Sequence, residues 1–347
     1  MTFIFFKVEY KKYLKKIKKR DSRINNYSRK FLIPRFFTCL PIILLVPIFL
    51  FLKKIPNKTV GYNLSKFQSE YLKKNFENPL ILNKPKKILD FNYGTLVFLF
   101  LNCFCHYFPL FPKIILFRNS KVKQVFVNSD FGFDQYNLVN LCKGLNIKTN
   151  CIQHGLFPID NMNDLDGLDC CENTVFSETQ KKVLEEAGFK GKIFVDKNTL
   201  PLFEKGNKEK WAKQGKSVIF IGPGFSHNEA LKQALLELLN DLNLLLKKNY
   251  NFIYRPHPRD EKFHLELLKN KIKVDSSKKS SLNNEANLIF LGVKSTMLLQ
   301  AQLSGRCAIN IIHEKFPNYF YPDEINISIK GQNLNELDKI ISKTAYR

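Results

Sequence analysis

From residue 120 onward the chain alternates short β-rich runs with amphipathic segments, and no other feature constrains its fold as much. Strands that run parallel need a crossover between each pair, so this rhythm points to parallel α/β units. Lys123 to Asp130 (KQVFVNSD) reads as a strand ending in a polar turn, with a helix near Gln135 to Lys143 and a strand at Lys148 to Gly155 (KTNCIQHG). Phe176 to Gly188 reads as a helix with Ser177 as N-cap and Gly188 at its C-terminal end, and Lys192 to Asp196 as the next strand. Between Asn198 and Lys216 the chain turns polar and irregular, with Pro201, Gly206 and Gly215, as a linker does. The alternation then resumes: a strand at Ser217 to Gly222, and a long helix from about His227 to Lys248 striped by Leu231, Leu235, Leu238, Leu242 and Leu245. Further strands are expected at NFIYRPHP, Asn287 to Gly292 and Cys307 to Ile312, with helices at Leu265 to Asn270 and Ser295 to Gly305.

At 347 residues, with 44% hydrophobic positions, the chain is too long for one ordinary core and too apolar for disorder, so two globular units are expected. Its net charge of +24 favours polyanions, acidic lipid surfaces or phosphorylated small molecules. The eight cysteines contain no CxxC pair and no zinc spacing, which fits a reduced, cytoplasmic chain.

The charge is concentrated at the start, where residues 1–30 hold eleven Lys or Arg against Glu9 and Asp21. The 17 residues from Phe36 to Leu52 that follow carry no charge. The basic region is too long, and a small-residue cleavage site too plainly missing, for a signal peptide. Residues 31–52 as a whole make a borderline span, since roughly 20 apolar residues are needed and Pro34, Pro41 and Pro47 interrupt the helix. A second apolar stretch, Thr95 to Phe117, is broken by His106, Pro109, Pro112 and Lys113. A membrane span, a surface-lying anchor and buried core helices are all open to the pair. The surface anchor is favoured, because juxtamembrane Lys and Arg contribute about 1 kcal/mol each near an anionic leaflet.

Three strand ends carry polar groups with chemical potential. In Tyr254 to Asp260 (YRPHPRD) two prolines fix the backbone around His257, with Arg255 and Arg259 on either side, an arrangement suited to phosphate. A surface turn with incidental charge is the competing view. In Gly292 to Leu299 (GVKSTMLL) a glycine leads through Lys294 to Ser295 and Thr296 at a helix start, where unpaired backbone N–H groups favour an anion. An ordinary N-cap explains one of those hydroxyls, but not both with the lysine. In Ile152 to Pro158 (IQHGLFP) His154 lies between a strand and a glycine turn, where it is a candidate general base, with Asp130 as competitor and a structural role as the alternative. Gly222 and Gly224 (GPGF) lack dinucleotide or P-loop spacing and instead allow close backbone approach to a ligand. The acidic string Asn163 to Asp169 lacks the calcium-loop pattern and reads as a solvated loop, so no metal site is assigned.

Taken in order, QHG ahead of the linker, strand-YRPHP, and strand-GVKST opening a helix resemble bacterial GT-B glycosyltransferases across roughly residues 120 to 315. The nearest groups are bacterial sialyltransferases and polysialyltransferases, with CDP-glycerol glycerophosphotransferases and capsule Kdo transferases also similar. The resemblance implies two Rossmann-like domains facing across a cleft: a membrane-associating region at 1–56, an acceptor domain at 57–200, a linker at 201–216 and a nucleotide-donor domain at 217–347. It implies a cytidine-nucleotide donor such as a CMP-sugar and a metal-independent mechanism without a cofactor. His257 would contact the donor phosphate beside Ser295 and Thr296, with Arg255, Lys294, Gly222 and Gly224 nearby, and His154 or Asp130 would be the base.

The expected activity is therefore transfer of a sugar, sialic acid or a related acidic one, to a glycan or lipid-linked acceptor at an anionic membrane surface. A cytosolic donor puts the enzyme on the cytoplasmic face of the bacterial inner membrane, peripheral or monotopic. Glycerophosphate transfer is the alternative within enzymes. A non-catalytic basic protein binding membrane or nucleic acid is the alternative outside them, although no nucleic-acid motif is visible. Such a protein would bind polyanions with steep salt dependence and without nucleotide selectivity.

Overall fold

The computed structural model describes residues 57–83, 121–128, 133–157, 159, 170–200, 217–224, 229–257, 272–275, 288–318, 320, 325 and 327–344. The N-terminal arm, both apolar stretches, Asp130, the acidic string, the linker, Arg259 and the helix expected at Leu265 to Asn270 lie outside these. The chain forms two compact units: 1–154 with 163–199, and 155–162 with 200–347. The short segment Gly155–Met162 thus groups with the second unit, where the Ile159 N–H donates to the Asn318 carbonyl (3.0 Å).

The first unit contains, in chain order, β1 (Thr59–Tyr62), α1 (Lys66–Asn75), β2 (Leu80–Leu82), β3 (Gln124–Val127), α2 (Phe133–Gly144), β4 (Lys148–Ile152), β5 (Glu172–Val175), α3 (Glu178–Glu186) and β6 (Lys192–Val195). Its strands form one parallel sheet in the order β2-β1-β3-β4-β5-β6. Because side chains alternate along each strand, the sheet has two apolar faces. Val60, Tyr62, Val125, Val127 and Cys151 pack with Leu138, Val139 and Cys142 of α2, whereas Phe126 and Ile152 pack with Leu72 of α1 and with Leu64 just before it. A reciprocal capping box starts α1: Ser65 Oγ accepts from the Gln68 N–H (3.2 Å), and the Ser65 N–H donates to Gln68 Oε1 (2.9 Å). Ser177 caps α3 as expected, and Gly188 follows its end with φ +77.

The second unit contains β7 (Ser217–Ile221), α4 (Glu229–Leu246), β8 (Asn251–Arg255), β9 (Lys273–Val274), β10 (Leu288–Gly292), α5 (Thr296–Leu303), β11 (Ala308–Ile312), β12 (Ile327–Lys330) and α6 (Leu337–Thr344). Again the sheet is parallel, in the order β12-β11-β10-β7-β8-β9. Leu235, Leu238, Leu239, Leu242 and Leu246 of α4 pack onto Phe220, Tyr254, Leu291 and Ile309. The expected leucine stripe is thereby shifted, since Leu231 and Leu245 are only partly buried and Leu239 and Leu246 complete the face. Among the described residues no helix is long and apolar enough to cross a membrane.

Gln68 links three features of the first unit: it closes the capping box, lies buried, and donates from Nε2 to the Ile152 carbonyl (2.8 Å) just before His154. Loss of a buried hydrogen-bonding side chain costs about 1–3 kcal/mol. Gln68→Ala is therefore expected to accelerate amide exchange in α1 and at the end of β4 by about 10- to 100-fold without affecting the second unit. Exchange mapped by mass spectrometry reads the effect, and uniform protection in the variant would contradict it.

Candidate functional site

Three of the motif loops fall on consecutive strands of the second unit. β10, β7 and β8 are neighbours in a parallel sheet, so GVKST, GPG and PHP all leave the same edge. Neighbouring strands are about 4.8 Å apart, which sets the outer two loops about 10 Å apart with the glycine turn between them. The chain passes from β7 to β8 on one side, and β10 adds to the other side. The ends of β7 and β10 are thus the switch point at which open α/β sheets bind ligands.

The glycines of the middle loop are required by what touches them. The Gly222 N–H donates to the Arg255 carbonyl (2.8 Å), and a Cβ at Gly222 would lie 2.7 Å from Tyr254 Oη and 2.8 Å from the His257 nitrogen. No side chain fits there. Gly224 has φ +80, and a Cβ on it would meet both Cγ and Nδ1 of His257 at 3.1 Å. The imidazole of His257 therefore packs directly on the glycine turn and is held half-buried at the sheet edge. On the other flank, Gly292 lets α5 close on its strand, since a Cβ would lie 3.1 Å from Leu298 Cδ1. Ser295 is the N-cap, its Oγ accepting from the Met297 N–H (3.1 Å), with Thr296 opening the helix and Lys294 half-buried before it. The capping bond uses a Ser295 acceptor, so its hydroxyl proton can still be directed toward an anion.

Arg255 departs from the expected arrangement. It is 8% exposed, and its Nη1 is 2.5 Å from Asp275 Oδ2 just beyond β9. The strand continues through Arg255, so the side chain belongs to the sheet and clamps β8 to its edge neighbour, its charge met by a carboxylate. Asp275 was not singled out from the sequence. Nor was Asn310, 2% exposed on β11 and paired in register with Gly292, whose Oδ1 has no hydrogen-bond donor among the described residues. One amide inside the apolar run CAINII was the available signal, because buried polar atoms are nearly always paired. Cys307 is no candidate nucleophile, since burial pushes its thiol up to about 12.

His154 belongs to the first unit, exposed in the loop after β4. Gln153 anchors that loop: its N–H donates to the Thr174 carbonyl (2.9 Å), Nε2 to Gln180 Oε1 (2.6 Å), and Oε1 accepts from the Phe176 N–H (3.2 Å). Asp130 lies outside the described residues. The structure thus gathers His257, Gly222, Gly224, Lys294, Ser295 and Thr296 at one edge and sets His154 on a separate, rigidly held loop. Among the described residues no group of three or more His, Cys, Asp or Glu is arranged to hold a metal.

The fold agrees with that of a solved structure, and the sequence with a family model. No curated protein sequence matches the chain significantly. Among solved structures, the UDP-GlcNAc 2-epimerase of Methanocaldococcus jannaschii, in complex with UDP-GlcNAc and UDP, aligns over 82% of this chain and 92% of its own, with TM-score 0.50 and 15% identity. The S. aureus MnaA co-structure with UDP covers 83% and 87% at 12% identity and TM-score 0.48. The wall teichoic acid polymerase TagF covers 91% of each chain at 12% identity and TM-score 0.48. The likeness to the epimerase is one of fold, two parallel-sheet α/β units of the GT-B kind. A family model described as Alpha-2,8-polysialyltransferase (POLYST) matches residues 105–297, a segment that includes His154, Gly222, Gly224, His257, Ser295 and Thr296. That segment is more than half of the 347 residues, and the chain belongs to the alpha-2,8-polysialyltransferase family.

Proposed function

We propose that this chain is a glycosyltransferase that moves sialic acid, or a related acidic sugar, from a CMP-activated donor to a surface-glycan acceptor. The observation that carries the proposal is the convergence of the GPG turn, His257 and the Ser295–Thr296 step on three adjacent strands of one sheet edge. A leaving CMP bears its developing charge on phosphate oxygens. An imidazole, two hydroxyls, a lysine and the first N–H groups of α5 are suited to that charge, and held in place they need no reorganisation during reaction.

The acceptor hydroxyl attacks the anomeric carbon as the bond from that carbon to the phosphate oxygen breaks, and CMP departs. The hydroxyl's proton passes to His154 or Asp130. A single displacement inverts the anomeric configuration, and the cationic and hydroxyl groups of the second unit take the role a metal has elsewhere. The basic N-terminal sequence supports a peripheral location on the cytoplasmic face of the bacterial inner membrane, where the cytosolic donor is available.

The deciding measurement is calorimetric comparison of CMP, UMP and GMP. CMP is expected to bind at least about tenfold tighter than the other two, and His257→Ala to weaken it by about 10- to 100-fold, the range for one hydrogen bond to a charged group. Gly224→Ala is expected to lower the affinity as well, because its methyl group displaces the imidazole and a residue with a side chain is strained at φ +80. Indifference to base and to both substitutions would remove the donor site.

His154→Ala is expected to lower kcat by about 10²- to 10⁴-fold with CMP affinity unchanged, as for loss of a general base. Kinetics with a defined acceptor check this, and an unaltered kcat would leave Asp130 as the base. Product analysis in the same assay separates the chemistries: a phosphodiester in the product would assign glycerophosphate transfer instead.

A further inference from the structure

We propose that the first unit rests on an anionic bilayer through the edge of its sheet at which the strands begin. The inference builds on the membrane-surface part of the function proposed above and specifies which face is docked. Lys58, Lys123 and Lys148 stand at the starts of β1, β3 and β4, which are consecutive in the sheet. Their backbones form one row: the Lys58 carbonyl accepts from the Lys123 N–H (2.8 Å), and the Lys123 carbonyl from the Lys148 N–H (3.0 Å). Each of α1 and α2 links two parallel strands, so each helix ends back at this edge, carrying Lys73 and Lys74 in the last turn of α1 and Lys143 in that of α2. All six lysines are exposed.

Lysines in a helix's last turn complement its dipole, which accounts for Lys73, Lys74 and Lys143. The dipole does not account for the strand row. Among the described residues, the carboxylates at this edge are the exposed Glu77, the buried Glu172 at the start of β5, and Glu185 and Glu186 in the last turn of α3, which face Lys181 and Lys182 at 3.9 and 3.8 Å. The opposite edge is different in kind: the strands are followed by Asn63, Asn128 and Gln153, and its Lys66 is 3.8 Å from Glu70. The β1 to β4 part of the unit is therefore electrically one-ended, with His154 at the near-neutral end.

Chain connectivity selects a lipid surface over other polyanions. Five residues separate Leu52, the last of the uncharged stretch, from Lys58, and two of them are Lys53 and Lys54. Even fully extended, the six steps from Leu52 to Lys58 span only about 20 Å. In the sequence the uncharged stretch thus stops only a few residues before the lysine row. Each lysine near an anionic surface raises partitioning about fivefold, an effect that fades beyond a screening length of about 8 Å. In this orientation the strand ends bearing His154 point away from the lipid.

The test is acetylation of the full chain by an amine-reactive reagent, on vesicles of phosphatidylglycerol with phosphatidylcholine and on phosphatidylcholine alone, read by peptide mass spectrometry. On the anionic vesicles, modification of Lys73, Lys74, Lys123 and Lys148 is expected to fall about tenfold, while Lys66 and Lys197 at the opposite edge are unchanged. A variant with all four lysines changed to Gln is expected to keep transfer to a soluble acceptor and lose at least about tenfold in association with anionic vesicles. A chain that binds such vesicles with both edges equally modified would overturn the docked face and leave the membrane location standing. Failure to bind anionic vesicles at all would overturn both.

Discussion

Backbone packing directly on backbone, at Gly222 and Gly224, is the constraint on which the candidate site depends. The turn after β7 lies so close to Arg255 and His257 that the strand-end loop of β8 has no room to move past it. That contact does what a longer polar side chain could not. It fixes the imidazole through van der Waals packing against the glycine turn. Gly292 acts similarly on the other flank, letting α5 begin immediately after β10 so that its first N–H groups lie at the same edge. Three glycines thus set the site's geometry, and the polar residues supply its chemistry.

Charge is treated differently in the site and in its support. Arg255 would be an attractive phosphate ligand by composition, yet it is buried against Asp275 and stiffens the β8 edge. A buried cation with its carboxylate in place is costly to break, because removing either partner leaves an uncompensated charge. The pair therefore rigidifies the strand that presents His257. Polar support in the first unit works by hydrogen bonds: Gln153 bonds Gln180 and the Phe176 and Thr174 backbones, and Thr174 Oγ1 donates to Asn150 Oδ1 (3.0 Å).

That polar interior explains what was legible in the sequence. Strands such as SVIFI and LIFLG are buried on both faces and apolar throughout, so their runs were plain, as were the Ser177 and Ser295 caps. β5 reads ENTV and was missed, because its burial is met by hydrogen bonding instead of apolar surface. The β1-α1-β2 unit was missed as well, since its strands have four and three residues and α1 is rich in Lys, Gln and Ser. At the site, His257, the glycines, Ser295 and Thr296 fall in motifs that the topology brings to one sheet edge, but the sequence could not foresee that Arg255 remains inside the strand. Side-chain direction at a strand's last residue depends on where pairing stops, and here register with Ile221 carries β8 through Arg255.

The two ends of the first sheet illustrate how one topology serves two purposes. In a parallel α/β unit every strand starts at one edge and every helix also ends there, so lysines placed at strand starts and helix ends are collected on one face even when they are far apart in sequence. The opposite edge receives every strand end and every helix start, the place where ligand-facing loops arise. Lys58 and Lys148 are 90 residues apart in the chain and two strands apart in the sheet. A charge pattern that looks dispersed along the sequence is in this way concentrated by the winding of the chain, and the loop bearing His154 is kept at the far end of the same strands.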